Sequence, residues 1–262
     1  MSKGRDMKKL KLLVLGVLLV TGPIWAEPDS VAILSKIDAQ ASFLDSDFST
    51  EILMNQIKPG EGVTQRTIAL FRRDKEEKYL MLLLKPDTDR GKGYLKIGNN
   101  LWLYETIPTR RFTVTSAKDR FQNSNARNSD FTRSTFAEDY KIVSVAKEKL
   151  GPFDTTVYNL EAIHDDVTFP KTKLWVTADS LVRKKEDYSL SGQLLRTTAM
   201  PSYQEFKGRY IPKKVTIIDA LMGKTLNGVF KNEITEYSMG KLSTDPLPSI
   251  MFTQSYLEKN SQ

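Results

Sequence analysis

The chain has 262 residues, with 39 Lys and Arg against 32 Asp and Glu, no cysteine and a single histidine. The lack of cysteine excludes disulfides, thiolate metal sites, a cysteine nucleophile and lipid attachment behind a leader, and one histidine cannot complete a typical zinc set. Five of the basic residues and one acid lie in the first 26 positions, and the balance of charge beyond them gives no basic stripe of the nucleic-acid-binding kind.

Lys3, Arg5, Lys8, Lys9 and Lys11 open the chain, an apolar run of nine residues follows from Leu12 to Val20, and Thr21-Gly22-Pro23 leads to Ile24-Trp25-Ala26. Basic start, short apolar core and small-residue end make a secretory signal, and a membrane span needs about 20 apolar residues. The expectation is export with cleavage after Ala26, leaving one domain over residues 27–262.

Residues 30–44 carry Val31, Ile33, Leu34, Ile37, Ala41 and Phe43-Leu44 at helical spacing, so an amphipathic helix is predicted with Ser30 as its N-cap. The pattern then changes to short apolar or alternating runs: Phe48–Ile57, Val63–Arg72, Lys78–Leu84, Tyr94–Ile97 and Leu101–Tyr104. Further runs are Tyr140–Val145, Thr155–Ala162, Lys173–Ala178, Val182–Tyr188, Leu194–Met200, Glu205–Tyr210, Lys214–Ile218 and Gly228–Tyr237. Turn signals such as Lys58-Pro59-Gly60, Gly98-Asn99-Asn100, Ser191-Gly192 and Met222-Gly223 separate many of them. Many strands at short spacing predict an antiparallel sheet, sandwich or barrel. Phe252–Lys259 reads as a short terminal helix.

Two segments depart from this pattern. Tyr79-Leu80-Met81-Leu82-Leu83-Leu84 is apolar on both faces of its strand, so both sides must leave water. Either it is a central strand covered on both sides, or one side lines an apolar cavity. Residues 109–135 form a long stretch without sustained periodicity, a kind that is uncommon and often functional. Between Arg110 and Arg133 it carries six basic residues against Asp119 and Asp130, together with Phe112, Phe121 and Phe131. A partner- or membrane-facing loop bearing Arg110, Arg111, Arg120 and Arg127 is one reading. A solvated surface loop, with Arg111 and Arg127 paired to Asp119 and Asp130, is the other.

No catalytic constellation is legible. His164 stands beside Asp165 and Asp166, without the partners a metal site or triad needs. Gly91-Lys92-Gly93 lacks the spacing of a phosphate loop and reads as a hairpin turn. Glu76-Glu77 reads as a solvated turn. The expectation is a protein that is not an enzyme and holds no cofactor or metal.

Several motifs nevertheless recur in a familiar order. They are Tyr94-Leu95-Lys96-Ile97-Gly98-Asn99-Asn100-Leu101-Trp102-Leu103-Tyr104, then Asn128-Ser129-Asp130-Phe131 followed by Ala137-Glu138-Asp139-Tyr140. Leu174-Trp175-Val176, Val182-Arg183-Lys184 and Phe206-Gly208-Tyr210-Ile211-Pro212 follow. In this order, from about Ser30 onward, the sequence resembles the outer-membrane lipoprotein-sorting family of LolA-like periplasmic carriers. Asn128 stands where one branch of that family has glycine. The resemblance implies a mainly β fold: an incomplete antiparallel β-barrel wrapped around helices (LolA/LolB-like), with an N-terminal helix and short lid helices. It implies no catalysis, an apolar cavity for acyl chains of lipoproteins or lipids, an inner-membrane transporter as donor and an outer-membrane acceptor. A non-catalytic envelope interaction module docking on a membrane transporter is the alternative. On the carrier reading, Leu80, Leu82, Leu84, Leu95, Ile97, Trp102, Tyr104 and Trp175 are the cavity candidates. A one-residue change of strand parity would move the strand residues to the opposite face.

Overall fold

The computed structural model describes residues 29–106 and 108–261. The export segment and its expected cleavage after Ala26 lie outside the described residues. The first helix, α1, runs Ser30–Ala41. Its cap is Asp29 rather than Ser30: the Ala32 N–H donates to Asp29 Oδ1 at 3.1 Å, while the Ser30 hydroxyl accepts the Ile142 N–H at 3.2 Å. The helix stops at Ala41 because Ser42 is already extended, and Phe43 turns away to stack on Phe48 with ring centres 4.4 Å apart.

Six strands follow: β1 (Phe48–Lys58), β2 (Gly62–Arg73), β3 (Lys78–Lys85), β4 (Gly93–Ile97), β5 (Asn100–Glu105) and β6 (Arg111–Val114). After a long connection and the one-turn helix α2 (Phe136–Asp139) come β7 (Tyr140–Leu150), β8 (Phe153–Ala162), β9 (Lys171–Val176) and β10 (Val182–Tyr188). The chain closes with β11 (Leu194–Phe206), β12 (Arg209–Leu226), β13 (Val229–Ser243) and helix α3 (Gln254–Lys259). All of them join one antiparallel sheet of 13 strands, ordered β6-β5-β4-β3-β2-β1-β13-β12-β11-β10-β9-β8-β7. The meander is joined to itself where β13 returns to β1, with Ile52 opposite Met239 on one side and Ile68 of β2 on the other. The sheet is not closed, since β6 and β7 are its two free edges. It is the incomplete antiparallel barrel expected from the sequence.

Two hairpins differ from the sequence reading. The run Glu205–Tyr210 is not one strand but straddles a turn at Lys207-Gly208, and β13 begins after a turn at Asn227-Gly228. In both turns the two central residues have left-handed φ, +52° and +75° in the first and +51° and +77° in the second. That is the primed turn whose twist matches paired strands. Met222-Gly223 lies within β12, where its register with β13 slips between Ile218 and Gly223.

The core has two storeys on β3. Tyr79, Met81 and Leu83 face inward with Ile52, Met54 and Ile68, against Phe121, Ala126 and Phe131 of the β6–β7 connection. Leu80 faces outward with Leu95 and Tyr104, beneath Met251, Phe252 and Leu257 of the C-terminal segment. This double coverage explains why the strand is apolar on both faces from Tyr79 to Leu83. α1 lays Leu34 and Ile37 across β7–β10, onto Ile142, Leu160, Leu174 and Val182. Among the described residues no helix is long and apolar enough to cross a membrane.

Candidate functional site

The stretch 109–135 divides: residues 109–119 are mostly exposed, as the solvated reading expects, whereas residues 120–135 are not a solvated loop. After the short strand β6 it enters the barrel, where Phe121, Ala126 and Phe131 are buried. A buried connection must satisfy its own polar groups, and this one meets most of them against the sheet wall, Asn128 Oδ1 being left without a partner. Asn125 donates through Nδ2 to the carbonyls of Glu233 (2.7 Å) and Ile217 (3.3 Å), and its N–H donates to Thr235 Oγ1 (2.8 Å). These contacts sit beside the slip in β12–β13 register. Gln56 Nε2 donates to the Asn123 carbonyl at 2.6 Å.

The end of the connection is pinned by charge. Arg196 of β11, 3% exposed, donates from both terminal nitrogens to Asp130 at 2.7 and 2.8 Å and from Nε to Asp187 at 2.7 Å. Its guanidinium lies 4.4 Å from the centre of the Phe169 ring. Burial would raise the Asp130 carboxyl, but the adjacent Arg196 prevails and holds it below its ordinary value. Asp187 also accepts Thr172 Oγ1 at 2.9 Å and pairs with Lys185 at 3.3 Å.

Between this pin and α1 the barrel holds a half-open cavity of about 270 Å³. Its roof is Ile37, Gln40 and Ala41 of α1, Phe43, residues 132–136 and Phe169. Its floor is Val182, Met200, Tyr203, Ile211, Val215 and Met239 from β10–β13. Polar clamps hold the roof. Arg72 donates to the Ala41 carbonyl (2.9 Å) and twice to Asp74 (2.8 and 2.5 Å), whose Oδ2 accepts the Phe43 N–H at 2.8 Å. Asp38 accepts the N–H groups of Phe136 (3.0 Å) and Ala137 (2.8 Å) and the Ser134 hydroxyl, which joins α1 to α2. Burial pushes the Asp38 carboxyl above its ordinary value, against the pull of those hydrogen bonds. The Asp139 carboxyl is raised for the same leading reason.

A family model described as "uncharacterized protein" matches residues 75–259. The chain belongs to that family. Its fold is LolA-like. A LolA superfamily protein from Nitrosomonas europaea is 24% identical, with 87% of this chain and 98% of that one covered and a TM-score of 0.72. A putative outer membrane lipoprotein-sorting protein domain from Vibrio parahaemolyticus is 18% identical over 87% and 98%, with a TM-score of 0.74. A DUF1329 family protein from Desulfovibrio piger is 16% identical over 87% and 97%, also at 0.74. No curated protein matches the sequence.

Within this LolA-like fold none of the eight apolar residues singled out by sequence lines this cavity, although Leu82, Leu84 and Tyr104 border a separate depression beside Thr106 and Asn260. Leu80, Leu95 and Tyr104 are buried on the outer face, with Leu82, Ile97 and Trp102 packed against them under the C-terminal segment, and Leu84 is exposed. The strand parity is one residue off the expectation, so Tyr79, Met81 and Leu83 hold the inner positions. Trp175 also faces outward: its indole N–H donates to Glu148 at 2.8 Å, and Lys173 and Lys184 stand over its ring at 4.4 and 4.2 Å. It is Leu174 that packs under α1.

Of the four arginines, Arg110 and Arg111 are exposed. Arg120 turns inward to the Ser124 carbonyl (2.7 Å), Asn125 Oδ1 (2.6 Å) and Glu233 (3.2 Å). Arg127 is partly buried and donates to the Lys118 carbonyl at 3.2 Å. The surface pairing of Arg111 and Arg127 with acids is not formed: Asp119 accepts Thr115 Oγ1 and the Ser116 N–H, and Asp130 is taken by Arg196. Asp38 and Arg196 do not stand out in the sequence because their partners are brought together only by the fold, and the nearby pair Arg72 and Asp74 does not because the groups it clamps, the Ala41 carbonyl and the Phe43 N–H, are 31 residues away. Asn128-Ser129-Asp130-Phe131 did stand out, and its role here is to pin the connection.

Proposed function

We propose that the protein is a non-catalytic periplasmic carrier. It takes acyl chains of lipoproteins or lipids into the cavity under α1 and α2, receives them from an inner-membrane transporter and moves them toward an outer-membrane acceptor. The observation that carries this reading is a mostly apolar cavity whose roof is clamped by a few polar contacts, the Arg72 and Asp38 sets, in a LolA-like fold. Each methylene withdrawn from water is worth about 0.8 kcal/mol, so a dry concave surface that opens is sufficient chemistry. The cavity of about 270 Å³ falls just below the roughly 300–1,000 Å³ of ligand pockets. Loading a long acyl chain therefore displaces the end of α1 and residues 132–136. The name of the Vibrio protein fits this reading, as does the secretory signal expected from the sequence of residues 1–26.

The test is to delipidate the protein and titrate it with a fluorescent fatty acid, with mass spectrometry of the organic extract of the untreated protein alongside. Saturable uptake and a co-purifying acylated lipid support the carrier. The absence of both uptake and lipid rejects it. A second reading, an interaction module docking on a membrane transporter, is favoured by the β12–β13 hairpin, which exposes Leu221, Met222, Val229 and Phe230. That reading predicts no uptake, and loss of docking when these four are replaced by Ser.

A further inference from the structure

The cavity floor carries a polar pair that the packing does not require. Lys185 and Thr198 are cross-strand partners in the β10–β11 ladder, and both line the cavity. Thr198 is 6% exposed, yet its hydroxyl has no hydrogen-bond partner. A buried hydroxyl left unpaired is disfavoured by about 1–3 kcal/mol, and of the three such side-chain atoms among the described residues, Tyr79 Oη, Asn128 Oδ1 and Thr198 Oγ1, Thr198 alone belongs to a residue that lines this cavity. Lys185 brings three N–H donors, and among the described residues its ion-pair partner is Asp187 alone, at 3.3 Å. The acceptors nearby are already engaged: Asp130 and Asp187 are held by Arg196, and the Tyr203 hydroxyl is turned to the Val182 carbonyl.

We infer that Lys185 and Thr198 form a head site in the cavity for the acceptor oxygens at the first carbon of an acyl chain. The inference rests on the carrier reading and names which end of the ligand enters the barrel. The surrounding charges cancel, Lys185 and Arg196 against Asp130 and Asp187, so donor geometry rather than excess positive charge does the recognising. Both a free carboxylate and an ester carbonyl offer that chemistry. The apolar remainder of the floor, Val182, Met200, Ile211 and Val215, receives the chain. A Lys185→Met change removes the donors and leaves Asp187 with Arg196 and Thr172. Thr198→Val keeps the shape and removes the hydroxyl.

The test uses the delipidated full mature protein and displacement of phenylnaphthylamine, a neutral apolar dye, by laurate, methyl laurate and dodecane. Wild type is expected to bind the two oxygenated ligands at least about tenfold more tightly than dodecane, the effect of one hydrogen bond to a charged donor. Laurate ahead of its methyl ester identifies the ligand as a free fatty acid; equality of the two identifies an esterified lipid. The Lys185→Met, Thr198→Val double variant is expected to lose that preference while it binds the dye and melts as wild type does. Lys185→Arg, which keeps a cationic donor, is expected to retain it. Dye binding without any preference for the oxygenated ligands, or a preference that survives the double variant, overturns the head site and leaves the carrier reading standing. Failure of the dye and all three ligands to bind overturns both.

Discussion

Arg196→Met is the substitution that most sharply tests the internal connection. It keeps an unbranched stem but removes the guanidinium, and with it the contact on the Phe169 ring, the two bonds to Asp130 and the one to Asp187. Asp187 keeps Thr172 and Lys185, whereas Asp130 keeps only the Arg127 N–H at 2.7 Å. Removing one partner of a buried pair costs about 3–5 kcal/mol. In a chain of this size each kcal/mol moves the midpoint by about 2–4 °C, so a fall of about 10 °C is expected by circular dichroism. Adding Asp130→Asn to Arg196→Met should cost less than the two single changes together, by about 1–3 kcal/mol of coupling. Trypsin should cut Arg196→Met after Lys118, Arg120 or Arg127 under native conditions that leave wild type whole. A loss under about 1 kcal/mol, additive single changes, or equal cleavage of both proteins would refute the pin and return residues 120–135 to the surface.

Three further outcomes follow from the geometry. Leu257→Ala, at a fully buried site on the outer face, should cost about 2–5 kcal/mol yet leave fluorescent fatty acid uptake unchanged; reduced uptake by folded protein would place the cavity on the wrong side of the sheet. Because the Asp38 and Asp139 carboxyls are raised in the fold, they contribute stability below the unfolded value of 3.8 and lose it as pH rises through their folded values. Asp38→Asn should therefore flatten the gain in melting temperature between about pH 7 and 4, and an unaltered pH slope would count against the clamp. Below the ordinary carboxylate range the sign reverses, since Asp130 is held low and its contribution is lost on protonation. Arg110 and Arg111, exposed on the rim, replaced together by Ser should leave melting unaltered and weaken binding to anionic vesicles, with wild-type binding fading as salt rises; equal binding by both proteins would make the rim inert.

The meander of strands was legible because turns and alternation repeat along the chain, and Val182–Tyr188 matches β10 end for end. The parity of β3 was not legible, because a strand covered on both faces has no polar side to orient it. Tyr79, Met81 and Leu83 look the same in sequence as Leu80 and Leu82. The burial of residues 120–135 was hidden by their polar composition: Asp130 finds its counter-ion 66 residues away in Arg196, and Asn125 serves backbone carbonyls of β12 and β13. The turn at Asn227-Gly228 carried a recognisable signal that Met222-Gly223 obscured. The cavity floor from β10–β13 gave no local sign, since Val182, Met200, Val215 and Met239 lie on four different strands and come together only in the folded sheet.

The carrier account is tested most directly by loading the delipidated protein with a fatty acid that bears a photoactivatable group in mid-chain and mapping the adducts by peptide mass spectrometry. The account predicts adducts on the cavity walls, at Ile37, Val182, Met200, Ile211, Val215 or Met239, and their suppression by excess unlabelled fatty acid. Adducts confined to the outer cluster around Met251 and Leu257, or to the exposed hairpin at Leu221, Met222 and Phe230, would contradict it.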